Sequence, residues 1–244
     1  MAPDDSDVQD RITTFWSTIA RYYESDPSNV PSLDSAEYTA WIRAIERLLP
    51  AAPADVLDVG TGTGFVALIA SQLGHRAIGL DLSTAMLSEA RAQADRRGLK
   101  TAFRIGDAVA PPFDEVSLDG IVCRHFLWTL REPNVALVNW RRLLRPSGRV
   151  VVIDGFCPLQ AKPEEGADLF ERYYTLRTRE ALPAMRWESV EPVTKLLVTA
   201  GFSEVTVGDL ADVHRVAKSP PSVRPWYVVT GRRNGGASNN SKPN

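Results

Sequence analysis

The sequence predicts a single α/β domain built on a doubly wound, mostly parallel sheet, and three observations carry that expectation. First, Asp55-Val56-Leu57-Asp58-Val59 has the aliphatic, β-branched character of a buried parallel strand and runs straight into Gly60-Thr61-Gly62-Thr63-Gly64. Glycines on alternate positions let the chain turn sharply and approach a ligand where a Cβ would clash. Second, the apolar run Leu80-Asp81-Leu82 places a carboxylate about 20 residues further on, the distance at which an acidic side chain grips ribose hydroxyls in doubly wound folds. Third, strand-like and helix-like segments alternate from residue 55 to about residue 155.

Each segment has a local reason. Phe15, Trp16, Ile19, Tyr22 and Tyr23 recur at helical spacing, and Ser35 is placed to cap a second helix through Trp41, Ile42, Ile45, Leu48 and Leu49 to Pro50. Ser83 is an N-cap candidate for a helix through Met86, Leu87 and Ala90, which Gly98 stops. Phe103 to Ala108 contains a third strand end, Asp119 to His125 a fourth strand, and Trp140 to Asp154 a helix, a turn and a fifth strand. Beyond it lie a helical stretch around Phe170, Tyr173 and Leu176, another from Ser189 to Ala200 closed by Gly201, and two strands, Glu204 to Val207 and Trp226 to Thr230. Pro220, Pro221 and Pro225 leave little helix between those two strands, too little for a parallel crossover, so the final strand is expected to be antiparallel. The domain reading is therefore an N-terminal helical lid over residues 1 to 50, a core over 51 to 233 with a cap insertion at about 156 to 187, and a disordered tail over 234 to 244.

Composition restricts the function. A chain of 244 residues fits one α/β core that buries roughly 70 to 75% of its unfolded surface. Its formal net charge of -2 offers no global positive field for nucleic acid or an anionic membrane. Arg141, Arg142 and Arg145 read as a solvated helix face. Two cysteines, Cys123 and Cys157, are too few for a disulfide scaffold and are expected to be reduced. The acidic start Met1-Ala2-Pro3-Asp4-Asp5 lacks an apolar leader, and no run approaches the roughly 20 apolar residues of a membrane span, so a cytoplasmic location is expected.

Two details set the glycine turn apart from a dinucleotide site. Its spacing is G-x-G-x-G, and Asp58 precedes it, where a carboxylate would repel a pyrophosphate and attract a cationic amino-acid group. The runs D-V-G-T-G-T-G and G-L-D resemble motifs I and II of the class I S-adenosylmethionine-dependent methyltransferases. Arg104-Ile105-Gly106-Asp107-Ala108 and Leu144-Arg145-Pro146-Ser147-Gly148 are similar to two later motifs of that family, and Arg124-His125-Phe126-Leu127-Trp128-Thr129-Leu130 is similar to its ubiquinone and menaquinone branch. The resemblance spans about residues 55 to 155 and implies a Rossmann-like seven-stranded sheet of order 3-2-1-4-5-7-6. It implies S-adenosylmethionine as cofactor, with Tyr23, Asp58, Gly60, Thr61, Gly62, Asp81, Leu82, Met86, Asp107, Ala108 and Arg124 around it. Asp107 would then accept from the adenine amino group while the next backbone N–H meets the ring.

Methyl transfer from a sulfonium needs alignment and exclusion of water more than covalent chemistry. In this family the lid and the segment after the fifth strand cover the acceptor, which implies Trp16, Tyr22, Trp128, Tyr173 and Tyr174 as substrate-binding residues. Phe156, Phe170, Met185 and Trp187 lie in the same segment. Together they suggest an aromatic box for a flat substrate, and ordinary core packing accounts for the same residues as well. His125, at the carboxyl edge of the fourth strand, is the candidate catalytic base, with a structural hydrogen-bonding role as the alternative. No Cys or His pair has zinc spacing, and no aspartate ends the fourth strand where metal-dependent catechol methyltransferases carry one, so no metal is expected. The motifs of DNA-methylating enzymes are also missing. The expected activity is methylation at oxygen or nitrogen of a small planar metabolite in bacterial specialised metabolism, with no nucleic-acid or membrane partner and an undetermined oligomeric state. A hydride-transferring NAD oxidoreductase and a non-catalytic cofactor-binding relative are the alternatives.

Overall fold

A computed structural model describes residues 5–26, 29–155, 167–217 and 226–235. Seven strands form one sheet: β1 Asp55–Val59, β2 Arg76–Asp81, β3 Ala102–Ile105, β4 Leu118–Arg124, β5 Leu144–Asp154, β6 Phe202–Asp209 and β7 Tyr227–Arg233. Their order is β3-β2-β1-β4-β5-β7-β6, with β3-β2-β1-β4-β5 parallel and β7 antiparallel to both neighbours. Fold class, strand order and the reversed last strand therefore agree with the sequence. Pro220, Pro221 and Pro225 lie outside the described residues; among the described residues the connection carries the short helix α9, Ala211–Val216.

β5 shows how the pattern becomes layers. Val150, Val151, Val152 and Ile153 are all fully buried, since alternate side chains enter opposite faces. Val150 and Val152 join the core formed with α5 (Pro133–Leu143) and α8 (Glu191–Thr199). Val151 and Ile153 join the core formed with α2 (Ala36–Leu48), α3 (Phe65–Gln72) and α9. Each side chain buried this way contributes roughly 1.5 to 3 kcal/mol. The L-R-P-S-G turn is a bulge within β5: Leu144 still pairs with Leu118, the register then shifts, and Ser147 takes φ 66°.

The helix ends follow the capping chemistry. Ser35 accepts from the Tyr38 N–H at 3.0 Å, and Ser83 accepts from the Met86 N–H at 3.1 Å to begin α4, Thr84–Arg97. Gly98 ends α4 at φ 63°. The helical stretch read around Phe170 is broken into α6 (Ala167–Tyr173) and α7 (Leu176–Glu180), because Thr175 caps the N–H of Thr178 and so starts a new helix.

Of the first 50 residues, α1 (Asp5–Tyr23) and α2 have different surroundings. α2 lies in a sheet layer, while α1 packs in a third cluster where Val8, Ile12 and Phe15 meet Tyr174, Leu182 and Met185. Arg142 and Arg145, read as a solvated helix face, are paired. Arg142 pairs with Glu115, and Arg145 bridges Asp55 and Asp119 at 3.0 Å each, holding the opening residues of β1 and β4 together at the surface. Cys123 is a buried free thiol, while Phe156, Cys157 and residues 236–244 of the tail lie outside the described residues. Among the described residues no helix is long and apolar enough to cross a membrane.

Candidate active site

The glycine turn is a left-handed backbone feature. Gly60, Gly62 and Gly64 have φ of 66°, 54° and 90°, each in the region that a Cβ makes costly. Strand β2 braces the turn from the side. Asp81 Oδ2 accepts the Gly62 N–H and its Oδ1 the Ser83 N–H, both at 2.9 Å. The Leu82 N–H also bears on this carboxylate, so only part of its four lone-pair sites is left for a ligand. Burial raises the Asp81 carboxyl above its ordinary value, and the backbone N–H groups work against that rise.

Asp58 braces the same turn from below. Its Oδ2 accepts from Thr61 Oγ1 at 2.6 Å and from the Ala67 N–H at 3.0 Å, which ties strand, turn and α3 together. Only 2% of the residue is exposed, and burial pushes its carboxyl up to about 7. Oδ2 therefore serves the turn.

A cleft with about 740 Å³ of space between its walls, part of it open to solvent, lies over the carboxyl ends of β1, β2 and β4. Its floor is Gly60, Gly62, Asp81, Leu82, Met86, Asp107 and Ala108. Asp107 holds its own loop through the Val109 N–H at 2.8 Å and is otherwise exposed. Helix α1 forms the roof with Gln9, Ile12, Thr13, Trp16 and Tyr23, and Phe126, Thr129 and Leu130 form a wall. Ser17 on the roof meets Ser83 on the floor, Oγ to Oγ, at 2.8 Å.

A second, smaller space of about 320 Å³ lies beside the glycine turn and is lined by Tyr23, Asp58, Gly60, Thr61, Gly62 and Arg124 among others. Arg124 donates from Nη2 to the Asn29 carbonyl at 3.1 Å, while its buried Nε has no hydrogen-bond partner. Burial lowers its pKa, partly offset by Tyr23 and Asp58. The Tyr23 phenol is raised by burial and stays protonated, a donor at neutral pH.

The structure does not bring all the expected substrate residues to the cleft. Trp16 lines it. Tyr22 turns outward, 64% exposed, with the Arg21 guanidinium 5.8 Å from its ring. Tyr174 is fully buried, stacked on Phe170 at 4.4 Å, and its hydroxyl accepts from Trp16 Nε1 at 3.0 Å. Tyr173 and Trp128 join that cluster and do not line the cleft. The aromatic residues largely pack on one another, because α1, α6 and the turn after β4 bury more apolar area by closing together than by facing water.

His125 likewise does not line the cleft. Its φ is 55°, which swings the ring onto Trp226, centroids 4.2 Å apart. Crowding by protein atoms, and then the neighbouring Arg124 charge, lower its pKa. The residue keeps an exposed edge, so what its surroundings fix is the direction: a neutral ring at pH 7.

Phe126 takes the place facing the glycine turn. The device behind it is Asp154, 1% exposed, which accepts the Leu127 N–H at 3.1 Å and the Gly155 N–H at 2.9 Å and draws in the Phe126 and Trp128 N–H groups. Sequence reasoning passed over Asp154, Phe126, Thr129, Leu130, Gln9, Ile12 and Thr13. The helical spacing of Gln9, Thr13 and Trp16 was the signal for the roof. Nothing local marked Asp154 as the anchor of this turn, since its Leu127 partner lies 27 positions away.

Comparison with known proteins gives the same picture. Residues 57–152 match the family described as Methyltransferase domain. The chain is 34% identical over 143 residues to the demethylmenaquinone methyltransferase of Thermus thermophilus, a match covering 58% of this chain and 62% of that protein. It is 31% identical over 231 residues to the demethylmenaquinone methyltransferase of Mycolicibacterium gilvum, covering 85% of this chain and 94% of that one. Among solved structures, phosphoethanolamine N-methyltransferase 2 of Haemonchus contortus in complex with S-adenosyl-L-methionine superimposes with a TM-score of 0.64 at 19% identity, over 89% of this chain and 57% of that chain.

Proposed function

Since the chain belongs to the class I S-adenosylmethionine-dependent methyltransferases, we propose that it methylates oxygen or nitrogen of a small, flat acceptor without a metal. Its enzyme class and its donor follow from the family, which replaces the oxidoreductase alternative. The acceptor and the residue roles are our reading. The observation that carries it is the construction of the cleft: glycines and carboxylates on its floor, an apolar and aromatic roof and wall above.

The floor fits the donor. Asp81, held rigid by backbone N–H groups of Gly62, Leu82 and Ser83, offers its remaining acceptor capacity to a ribose hydroxyl. We assign adenine to Asp107 and the Ala108 N–H, as the resemblance implies. Arg124, half-buried with an unpartnered Nε beside the turn, meets the need of an amino-acid carboxylate, and Tyr23 adds a neutral donor. When bound, S-adenosylmethionine supplies a methyl group already activated by its sulfonium. The protein's task is then to hold the acceptor about 3 to 3.5 Å from it and to exclude water. We assign closure to α1, whose Trp16 and Ile12 make the roof apolar. His125 lies outside the cleft, so we assign it no proton transfer and place it as a packing residue against Trp226.

The roof and wall carry uncharged polar groups, Gln9, Thr13 and Thr129, among apolar ones, which suits a neutral ring bearing hydroxyl, carbonyl or ring-nitrogen groups. Relatives named for demethylmenaquinone agree with a flat ring acceptor, and we place the reaction in bacterial specialised metabolism. Incubation with methyl-labelled donor and a panel of phenols, hydroquinones and N-heterocycles, read by mass spectrometry, tests this. Labelled phenol, hydroquinone or heterocycle supports the proposal. Transfer confined to charged aliphatic acceptors overturns it, and tight donor binding with no transfer to any acceptor points to the non-catalytic alternative.

A further inference from the structure

Arg124, half-buried with its Nε fully enclosed, is held in an unusual way for a cation. Its guanidinium carbon lies 4.7 Å from the ring centroid of Trp41, 4.6 Å from Phe65 and 4.8 Å from Trp226. The Trp41 ring stands perpendicular to both others, 5.6 Å from Phe65 and 5.7 Å from Trp226. They come from α2, from the first residue of α3 and from the residue before β7, three separate parts of the chain. The Trp226 backbone is tied down, since its main-chain N–H donates to His214 Nε2 at 2.9 Å. Arg124 forms no ion pair among the described residues, and Asp58 nearby spends Oδ2 on Thr61 and Ala67.

Such a holder does something that a carboxylate partner would not. Ring faces attract a guanidinium and restrict it, yet leave its formal charge uncompensated. A protein carboxylate at the same place would fix the side chain and also satisfy it, so that a ligand carboxylate would have to compete. We propose that Trp41, Phe65 and Trp226 are positioning residues for donor binding, which hold Arg124 aimed at the small space beside the glycine turn while leaving it free to pair with the carboxylate of the donor's amino-acid end. The proposal rests on the carboxylate reading of Arg124 given above. None of the three rings is needed to close the glycine turn, which is braced by Asp58 and Asp81.

The test compares calorimetric affinities for S-adenosylhomocysteine and for 5′-methylthioadenosine, which shares the nucleoside and lacks the amino-acid carboxylate. Trp226→Leu is expected to weaken S-adenosylhomocysteine about tenfold, within the range of a desolvated cation–π contact, and to leave 5′-methylthioadenosine within about twofold. Trp226→Phe, which keeps a ring face, should restore most of the loss. Arg124→Gln should erase the preference for S-adenosylhomocysteine. Equal weakening of both ligands by Trp226→Leu would make the ring a fold element and overturn the proposal. An intact preference in Trp226→Leu alongside a lost one in Arg124→Gln would overturn the holder and leave the carboxylate reading standing. An intact preference in Arg124→Gln would remove that reading, and the holder with it. Should Trp226→Leu fail to fold, Phe65→Leu reads the same ratio with the same meaning.

Discussion

Alanine at Gly60 should cost the fold more than alanine at Gly62, although both glycines sit in the same turn with left-handed φ. A Cβ on Gly60 would stand 2.0 Å from Phe126 Cδ2 and 2.2 Å from Cγ, far inside any real contact, so the ring must leave. It is not free to do so, because Asp154 gathers the N–H groups of residues 126 to 128. The left-handed backbone costs about 1 to 2 kcal/mol at either site, and overpacking adds about 1 to 3 kcal/mol at Gly60 alone. A Cβ on Gly62 meets nothing within 4 Å, and Gly62 lines the cleft. Urea denaturation should therefore place Gly60→Ala about 1 to 3 kcal/mol below Gly62→Ala. Calorimetry should show Gly62→Ala folded but with its affinity for S-adenosylhomocysteine reduced by about tenfold or more, an effect on the order of the 1.4 kcal/mol that a factor of ten represents. Equal stability of the two variants, or near-normal ligand binding by Gly62→Ala, would refute the geometry on which this rests.

Three further outcomes follow from the same site. Asp81→Asn, which keeps shape but loses the charge behind its hydrogen bonding to the ligand, should weaken S-adenosylhomocysteine by roughly ten- to a hundredfold; an unchanged dissociation constant in the folded variant would remove Asp81 from the ribose site. His125→Gln should lower turnover less than about tenfold and keep the shape of the pH profile, whereas a loss of a hundredfold or more with a vanished ionisation would restore the histidine as a base. Asp154 is held up to about 7 in the folded chain against an ordinary 3.8, so between those values the native state binds more protons than the unfolded one and stability falls as pH rises. That contribution is fully present below the unfolded value and gone above about 7, so the urea midpoint of Asp154→Asn should depend less on pH between about 5 and 8 than that of the parent; identical slopes would contradict it.

The parts legible in the sequence are those fixed by local chemistry. The strand pattern of β1, the glycine turn, Ser35 and Ser83 as caps and the buried run of β5 depend on periodicity and backbone preference among near neighbours, and the structure repeats them. The reversed β7 followed from proline content and chain length. Residue identity also named most of the cleft floor, since a turn and the strand beside it place their side chains almost without alternatives.

What tertiary structure alone decided is which way the neighbouring side chains face. His125 and Phe126 are adjacent, equally suited by type to a ligand, and a left-handed φ at His125 sends one to Trp226 and the other to Gly60. Tyr22 and Tyr23 divide between solvent and cleft by one step of 100° around α1. Tyr174 is consumed by Phe170 and Trp16, and Arg124 is enclosed by rings from positions 41, 65 and 226. Such choices are made by contacts between residues far apart in sequence, each the best available burial for a side chain once the sheet has brought the segments together, and a local pattern carries no record of them.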